Sequence, residues 1–268
     1  MLKDITLGQY FPDDTVVHRL DPRTKIILVV LYIAELFIAK SWISYGLMFM
    51  ILVACMVLAR AKPKTVLRGM KPLVFVIVFT AVLNVFFTAG PTVLVQFWVI
   101  KITKEGLVTA AMMVCRIIML VVGTFLLTYA TSPLALTDGL ETLFRPLKKV
   151  KFPVHEMSMI MSIALRFIPT LSEETVKIMS AQKARGADFE SGNLVEKARA
   201  LLPLLVPLFI SAFRRADELA VAMESRCYHG DSGRTRMKEL KLSRRDWLAF
   251  LWGAVTLAGV IYLSAMGL

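Results

Sequence analysis

At 268 residues, 57% of them hydrophobic and with a mean hydropathy of +0.65, the chain exceeds the apolar share of soluble domains of its length, so a bilayer is its natural solvent. The 32 Lys and Arg against 20 Asp and Glu would suit nucleic acid or cytoplasmic membrane loops, and only the positions of the charges separate the two. Cys55, Cys115 and Cys227 lie far apart and form no CxxC or Cys/His cluster, so neither disulfides nor structural zinc is expected.

In chain order, residues 1–25 read as a cytoplasmic segment. The first apolar run begins only at Ile26, after Asp4, Asp13, Asp14 and Asp21, which is unlike a cleavable signal peptide. Residues 26–130 read as a four-helix transmembrane section, with spans at Ile26–Ala39, Ser41–Ala59, Pro72–Ala89 and Leu107–Ala130. The first of these is short and is expected to recruit flanking residues, and the tight junction at Lys40 and Ser41 predicts an antiparallel hairpin with the second. Between the third and fourth, Val93, Val95, Phe97 and Val99 alternate as in a short strand or interfacial segment. Residues 131–245 are expected to be cytoplasmic or interfacial helices, and 246–268 a fifth span beginning at Trp247. Of the 32 basic residues, 28 fall on one side of this layout, 3 (Lys40, Lys101 and Lys104) on the other, and Arg116 inside a span. The N-terminus is therefore expected inside and the C-terminus outside. The charge is a topology signal, with lipid rather than nucleic acid as the partner.

The 131–245 region carries apolar blocks that a solvated loop would not need. Ala200–Phe213 is uncharged, interrupted by Pro203 and Pro207, and reads as a buried or interfacial helix. Beyond it Phe213, Ala216, Ala220, Met223 and Cys227 recur at helical spacing and predict an amphipathic helix packing on a partner. An earlier helix is expected to open at Ser172, with Glu173 and Glu174 at its positive end, after a boundary or kink at Pro169, and to finish at Gly186 with a left-handed cap.

Each of these helices ends in a small-Arg-small triplet: Ala184-Arg185-Gly186, then Ser225-Arg226-Cys227. Small neighbours leave a guanidinium free to enter a partner's groove and grip a carboxylate; a cation at a helix C-terminus also simply complements the dipole. No Walker A string is present, the nearest being Gly230–Thr235 without its lysine, and His18, His155 and His229 lack metal-ligand spacing. Arg116 lies deep in the fourth span, where an unpaired charge costs at least ~2.5 kcal/mol. Glu35 and Asn84 fall at similar depth, so a polar cluster of Glu35, Asn84 and Arg116 is expected, as an interhelical tie or part of a pathway.

The triplets, together with HRLDPRTK (18–25), TSPLALTDGLE (131–141), SIALRFIPTLSEE (162–174), AQKARGADFESG (181–192) and AFRRADELAVAMESRCYHGDSGRTR (212–236), resemble the transmembrane (T) component of energy-coupling factor transporters. The resemblance implies an all-α integral membrane protein with about five transmembrane helices plus cytoplasmic amphipathic coupling helices. It implies that Arg185 and Arg226 each dock on one of two ABC-type ATPase subunits. ATP and Mg would reside on those subunits, and this chain would bind no cofactor and catalyse nothing. It further implies that the helices support a substrate-capturing membrane subunit, with uptake of vitamins or other micronutrients into a prokaryotic cell. Met157, Met161, Leu202, Leu205 and Phe209 would form that support, and 15 methionines suit an adaptable surface, although core packing accounts for them equally. In this family the second triplet commonly ends in glycine where this chain has Cys227. The alternative is a self-contained permease or channel, which would show inverted repeats or broken spans with several polar groups.

Overall fold

The computed structural model describes residues 10–97, 100–187, 189, 193–230 and 240–266. In chain order the elements are α1 (Pro22–Ile38), α2 (Trp42–Leu58), α3 (Pro63–Met70), α4 (Val74–Phe87), β1 (Val93–Phe97), β2 (Ile100–Thr103), α5 (Lys104–Ala130), α6 (Pro133–Phe144), α7 (Val154–Ala184), α8 (Leu194–Ser225) and α9 (Arg244–Ala265). They form two compact units, one of residues 10–139 with 240–266 and one of residues 140–230, the boundary falling within α6.

In the first unit, helices start where side chains satisfy their free N–H groups. The Asp21 carboxylate accepts from the Arg23 N–H and Pro22 takes the first helical position of α1, where no N–H is needed. Ser41 Oγ accepts from the Ser44 N–H at the start of α2. Three helical runs, Pro63–Phe87, Lys104–Ala130 and Arg244–Ala265, are long and apolar enough to cross a membrane. The first of them joins α3 and α4 through a 3-10 turn at Lys71–Leu73. Helices α1 and α2 have 17 residues each, about 26 Å of rise against a hydrocarbon core of ~30 Å. As expected, α1 recruits flanking residues, Pro22–Lys25. The expected α1–α2 hairpin does not form: both helices pack chiefly against α5 and α9 instead of each other. Gly123 explains part of this, because a Cβ there would lie 2.7 Å from the Tyr32 ring, so only glycine lets α1 approach α5 so closely.

The alternating segment is one arm of a hairpin, with β1 antiparallel to β2 from Val93 opposite Thr103 to Phe97 opposite Ile100; Val99 lies outside the described residues. The Thr103 hydroxyl donates to Thr88 O and accepts from the Gly106 N–H, tying the hairpin to the ends of α4 and α5. No α4 residue is buried, and Phe75 and Phe87 are 76% and 82% exposed, as a lipid-facing helix requires.

The HRLDPRTK stretch is a clasp. Arg23 grips both Asp21 oxygens and donates to Leu240 O, and Lys25 Nζ reaches the carbonyls of His18 and Ala130 at 3.1 and 2.9 Å. The Asp246 carboxylate accepts from the Asp21 N–H at 2.9 Å and from the Ser243 N–H and hydroxyl, both at 2.7 Å. This joins the starts of α1 and α9 to the end of α5.

In the second unit α7 runs unbroken for 31 residues through Pro169, and α8 for 32 through Pro203 and Pro207. The expected helix start at Ser172 is therefore wrong. An interior proline costs a helix about 3 kcal/mol, and the packing of α7 on α8 beyond it outweighs that. Before α7, the Glu141 carboxylate takes His155 Nδ1 at 3.1 Å and the Ser158 hydroxyl at 2.7 Å.

Asp246→Ala removes the acceptor for the Asp21 N–H and for both Ser243 donors. It should destabilise the first unit by about 1–3 kcal/mol, read as a lower unfolding midpoint of the purified chain in detergent. An unchanged midpoint would show that the clasp is dispensable.

Candidate docking interface

Both triplets have the same backbone geometry. At the end of α7, Gly186 adopts φ +87°, its N–H donates to Lys183 O, and the Ala187 N–H donates to Gln182 O, both at 3.0 Å. At the end of α8, Cys227 adopts φ +56°, its N–H donates to Glu224 O at 2.8 Å, and the Tyr228 N–H donates to Met223 O at 3.1 Å. These are two Schellman ends, with Arg185 and Arg226 each the last residue before the left-handed turn. Both arginines are exposed, as are Ala184, Gly186, Ser225 and Cys227. Gly186 meets the expectation of a left-handed cap. Cys227 occupies the equivalent turn without glycine's freedom, which costs an L-residue roughly 1 kcal/mol.

The two helices lie antiparallel. Glu174 on α7 accepts from the Ser211 hydroxyl at 2.5 Å and from Arg215 Nη2 at 2.8 Å on α8, while the Arg215 guanidinium lies 5.9 Å from the Phe167 ring centroid. Nearer the end of α7, Gln182 Nε2 donates to Pro203 O at 3.4 Å. That carbonyl has lost its helical partner because Pro207 has no N–H, so the α7 side chain takes up a group freed by the proline. From the Glu174–Arg215 bridge, Arg185 lies 11 residues along α7 and Arg226 lies 11 residues along α8, in opposite directions. At helical rise each is ~16 Å from the bridge, and together they mark two ends ~30 Å apart.

The apolar rows differ from the expectation in one respect. Met157, Met161, Leu202, Leu205 and Phe209 are all uncovered, between 43% and 61% exposed. They do not form one patch. Phe209 lies two residues from Ser211 at the bridge, whereas Met161 is 13 residues before Glu174, ~20 Å away along α7. Phe213, Ala216 and Ala220, expected to face a partner element, are exposed; the face of α8 turned to α7 carries Ser211 and Arg215. Sequence reasoning read Glu174 as an N-terminal charge and missed its bridge. The available signal was that Glu174 and Arg215 each precede a motif arginine by the same interval.

In the membrane unit the expected cluster of Glu35, Asn84 and Arg116 is not formed. Arg116 donates to Ala39 O at 3.2 Å, a carbonyl at the C-terminal end of α1, and lies 5.7 Å from the ring centroids of both Phe37 and Tyr45. The helix end and the aromatic faces supply what a carboxylate was expected to supply. Glu35, buried, accepts from the Thr256 hydroxyl at 2.9 Å, and Asn84 donates to Thr80 O within its own helix at 2.9 Å. Of Gly230–Thr235, only Gly230 is among the described residues.

The family model of the cobalt transport protein, CbiQ, matches residues 13–238. Energy-coupling factor transporter transmembrane protein EcfT of Clostridium kluyveri is 52% identical over 256 residues, covering 95% of each chain. The protein of the same name from Thermosediminibacter oceani is 52% identical over 260 residues, 97% of this chain and 98% of that one. That of Lactococcus lactis subsp. cremoris is 43% identical over 247 residues, 92% of this chain and 93% of that one. The chain belongs to this family of energy-coupling factor transporter transmembrane proteins. It is an all-α membrane protein of a transport system, and the paired ends of α7 and α8 are the feature in which its geometry is most regular.

Gly186→Ala should weaken the end of α7 by about 1 kcal/mol, and Cys227→Gly should strengthen the end of α8 by a similar amount. A Cβ at Gly186 meets nothing within 4 Å, so that effect comes from the backbone alone. Amide hydrogen exchange in the last turn of each helix measures both, and shifts of the same sign would show that the two ends are not equivalent.

Proposed function

We propose that this chain is the energy-coupling scaffold of an ATP-driven importer. Arg185 and Arg226 each dock on one of two ABC-type ATPase subunits, and the exposed apolar rows of α7 and α8 carry a substrate-capturing membrane subunit. ATP and Mg stay on the ATPases, this chain catalyses nothing, and the cargo is a vitamin or another micronutrient chosen by the capturing subunit. The chain spans a prokaryotic cell membrane several times, with its N-terminus in the cytoplasm and its C-terminus outside. The observation that carries this reading is the pair of matching Schellman ends, each presenting one exposed arginine at the same interval from the Glu174–Arg215 bridge. Two equivalent anchors suit two equivalent partners. The relatives' names, which describe the transmembrane protein of an energy-coupling factor transporter, support the same assignment.

An arginine gripping a carboxylate in a dry groove behaves as a hot spot worth at least ~2 kcal/mol, whereas an exposed pair is worth under ~1 kcal/mol. Arg185→Ala or Arg226→Ala should therefore reduce uptake by cells expressing the chain with its partners. The double variant should abolish uptake or release the ATPases on purification while still inserting in the membrane. Lysine should restore only part of the function, because it lacks the bidentate fork. Full rescue by lysine, or wild-type uptake in the double alanine variant, would return these arginines to a role in capping their own helices.

For topology, in a background lacking the native cysteines, Lys62→Cys should react with an impermeant maleimide only from inside and Met266→Cys only from outside. The reverse pattern at either position would overturn the assigned orientation.

A further inference from the structure

Within the membrane unit, α1 and α2 each pack against α5 and α9 and leave between them an apolar cavity of about 540 Å³. Toward the outer ends of these helices the space is closed by Leu36, Met48, Met119 and Val260, which pack together in the core. Toward the other ends it stays open, because Ala54 and Ala249 are too small to fill it. Protein interiors carry few voids larger than a water molecule, and a cavity lined by hydrocarbon does not hold water stably. This volume lies in the range of small-ligand sites. It is not sealed, since Val16, Leu58, Leu248 and Trp252 line it and are each more than half exposed.

Its dimensions and charge select the occupant. Along α1 the lining runs from Lys25 to Glu35, ten residues or ~15 Å of rise, which equals half of a ~30 Å hydrocarbon core. The cavity therefore spans one leaflet, from the end carrying Lys25, Ala130 and Arg245 to mid-depth. At that end Asp14 is paired with Arg19, Asp21 with Arg23, and Asp246 is occupied by the Asp21 and Ser243 donors. Lys25 donates to carbonyls with Asp21 and Asp246 within electrostatic reach, and Arg245, facing Asp14, makes no hydrogen bond or ion pair among the described residues. Lys25 and Arg245, neither in an ion pair, stand at the mouth of an acyl-length cavity.

We propose that this cavity holds one acyl chain of an anionic phospholipid of the cytoplasmic leaflet, with the headgroup phosphate at Arg245 and Lys25. The chain takes the place of the side chains that α1 and α2 do not bring together, so the lipid is part of the folded bundle.

The test uses the full chain in phosphatidylcholine vesicles doped with phosphatidylglycerol that carries a diazirine in the middle of an acyl chain, with crosslinked peptides mapped after illumination. Labelling should concentrate on the cavity segments around Ala54, Leu126 and Ala249 and fall about fivefold in Arg245→Gln. Ala249→Trp, which fills the space, should also reduce it strongly; Ala54→Leu serves if that variant fails to insert. The same diazirine on phosphatidylcholine should label these segments several-fold less. Labelling of exposed α4 at Phe75 and Phe79 as heavy as that of the cavity would overturn the proposal. So would equal labelling by the phosphatidylcholine probe together with no effect of Arg245→Gln.

Discussion

One carboxylate organises the pair of long helices that carry the two arginine ends. Glu174 holds α7 against α8 through the Ser211 hydroxyl and the Arg215 guanidinium, and Arg215 is backed by the Phe167 ring. Charge-assisted hydrogen bonds that are only partly exposed are stronger than surface pairs. Because the helices run antiparallel and the two arginines lie at equal intervals from the bridge, a single contact sets where both ends stand. Long helices suit this arrangement, since each fixes the positions of groups tens of ångströms apart. The prolines at 169, 203 and 207 leave carbonyls without partners, and Gln182 recovers one of them across the pair, which adds a second tie.

The membrane unit obeys a different constraint. With no water in the hydrocarbon region, each polar group must find a partner inside the protein. Arg116 Nη2 meets this on the end of α1, beside two aromatic faces, and Glu35 on the Thr256 hydroxyl, while the buried Arg116 Nε takes no partner among the described residues. At one end of the bundle, Asp21, Arg23 and Asp246 join segments more than 200 residues apart in sequence, and Lys25 reaches Ala130, 105 residues on. This accounts for the dense charge of HRLDPRTK in structural terms, with Lys25 alone also facing the proposed lipid headgroup.

Much of this was legible in the residues. Apolar length and loop charge marked the spans, since hydrocarbon thickness acts on every helix alike. Gly186 marked a helix end, because φ above zero is cheap only for glycine, and the two triplets announced equivalent ends before any geometry was known. The misreadings share a cause. Pro169 suggests a break by local preference, yet the packing of α7 on α8 carries the helix through it. The short link at Lys40 and Ser41 suggests a hairpin, yet the faces of α1 and α2 are claimed by α5 and α9. Arg116 called for a carboxylate by charge alone, and a helix terminus answered instead. In each case the deciding contact is remote in sequence and leaves no periodic trace. Cys227 shows the converse: its backbone repeats that of Gly186 although the residue type gives no hint of it.

The central claim is that the Glu174 bridge holds the two arginine ends at a set separation. It is tested most directly by pulsed electron spin resonance between spin labels at Ala184→Cys and Ser225→Cys, in the full chain with the native cysteines replaced. A narrow distance distribution near ~30 Å is predicted, broadening or shifting when Glu174→Ala is added. A distribution equally narrow and unmoved in the Glu174→Ala chain would contradict the account.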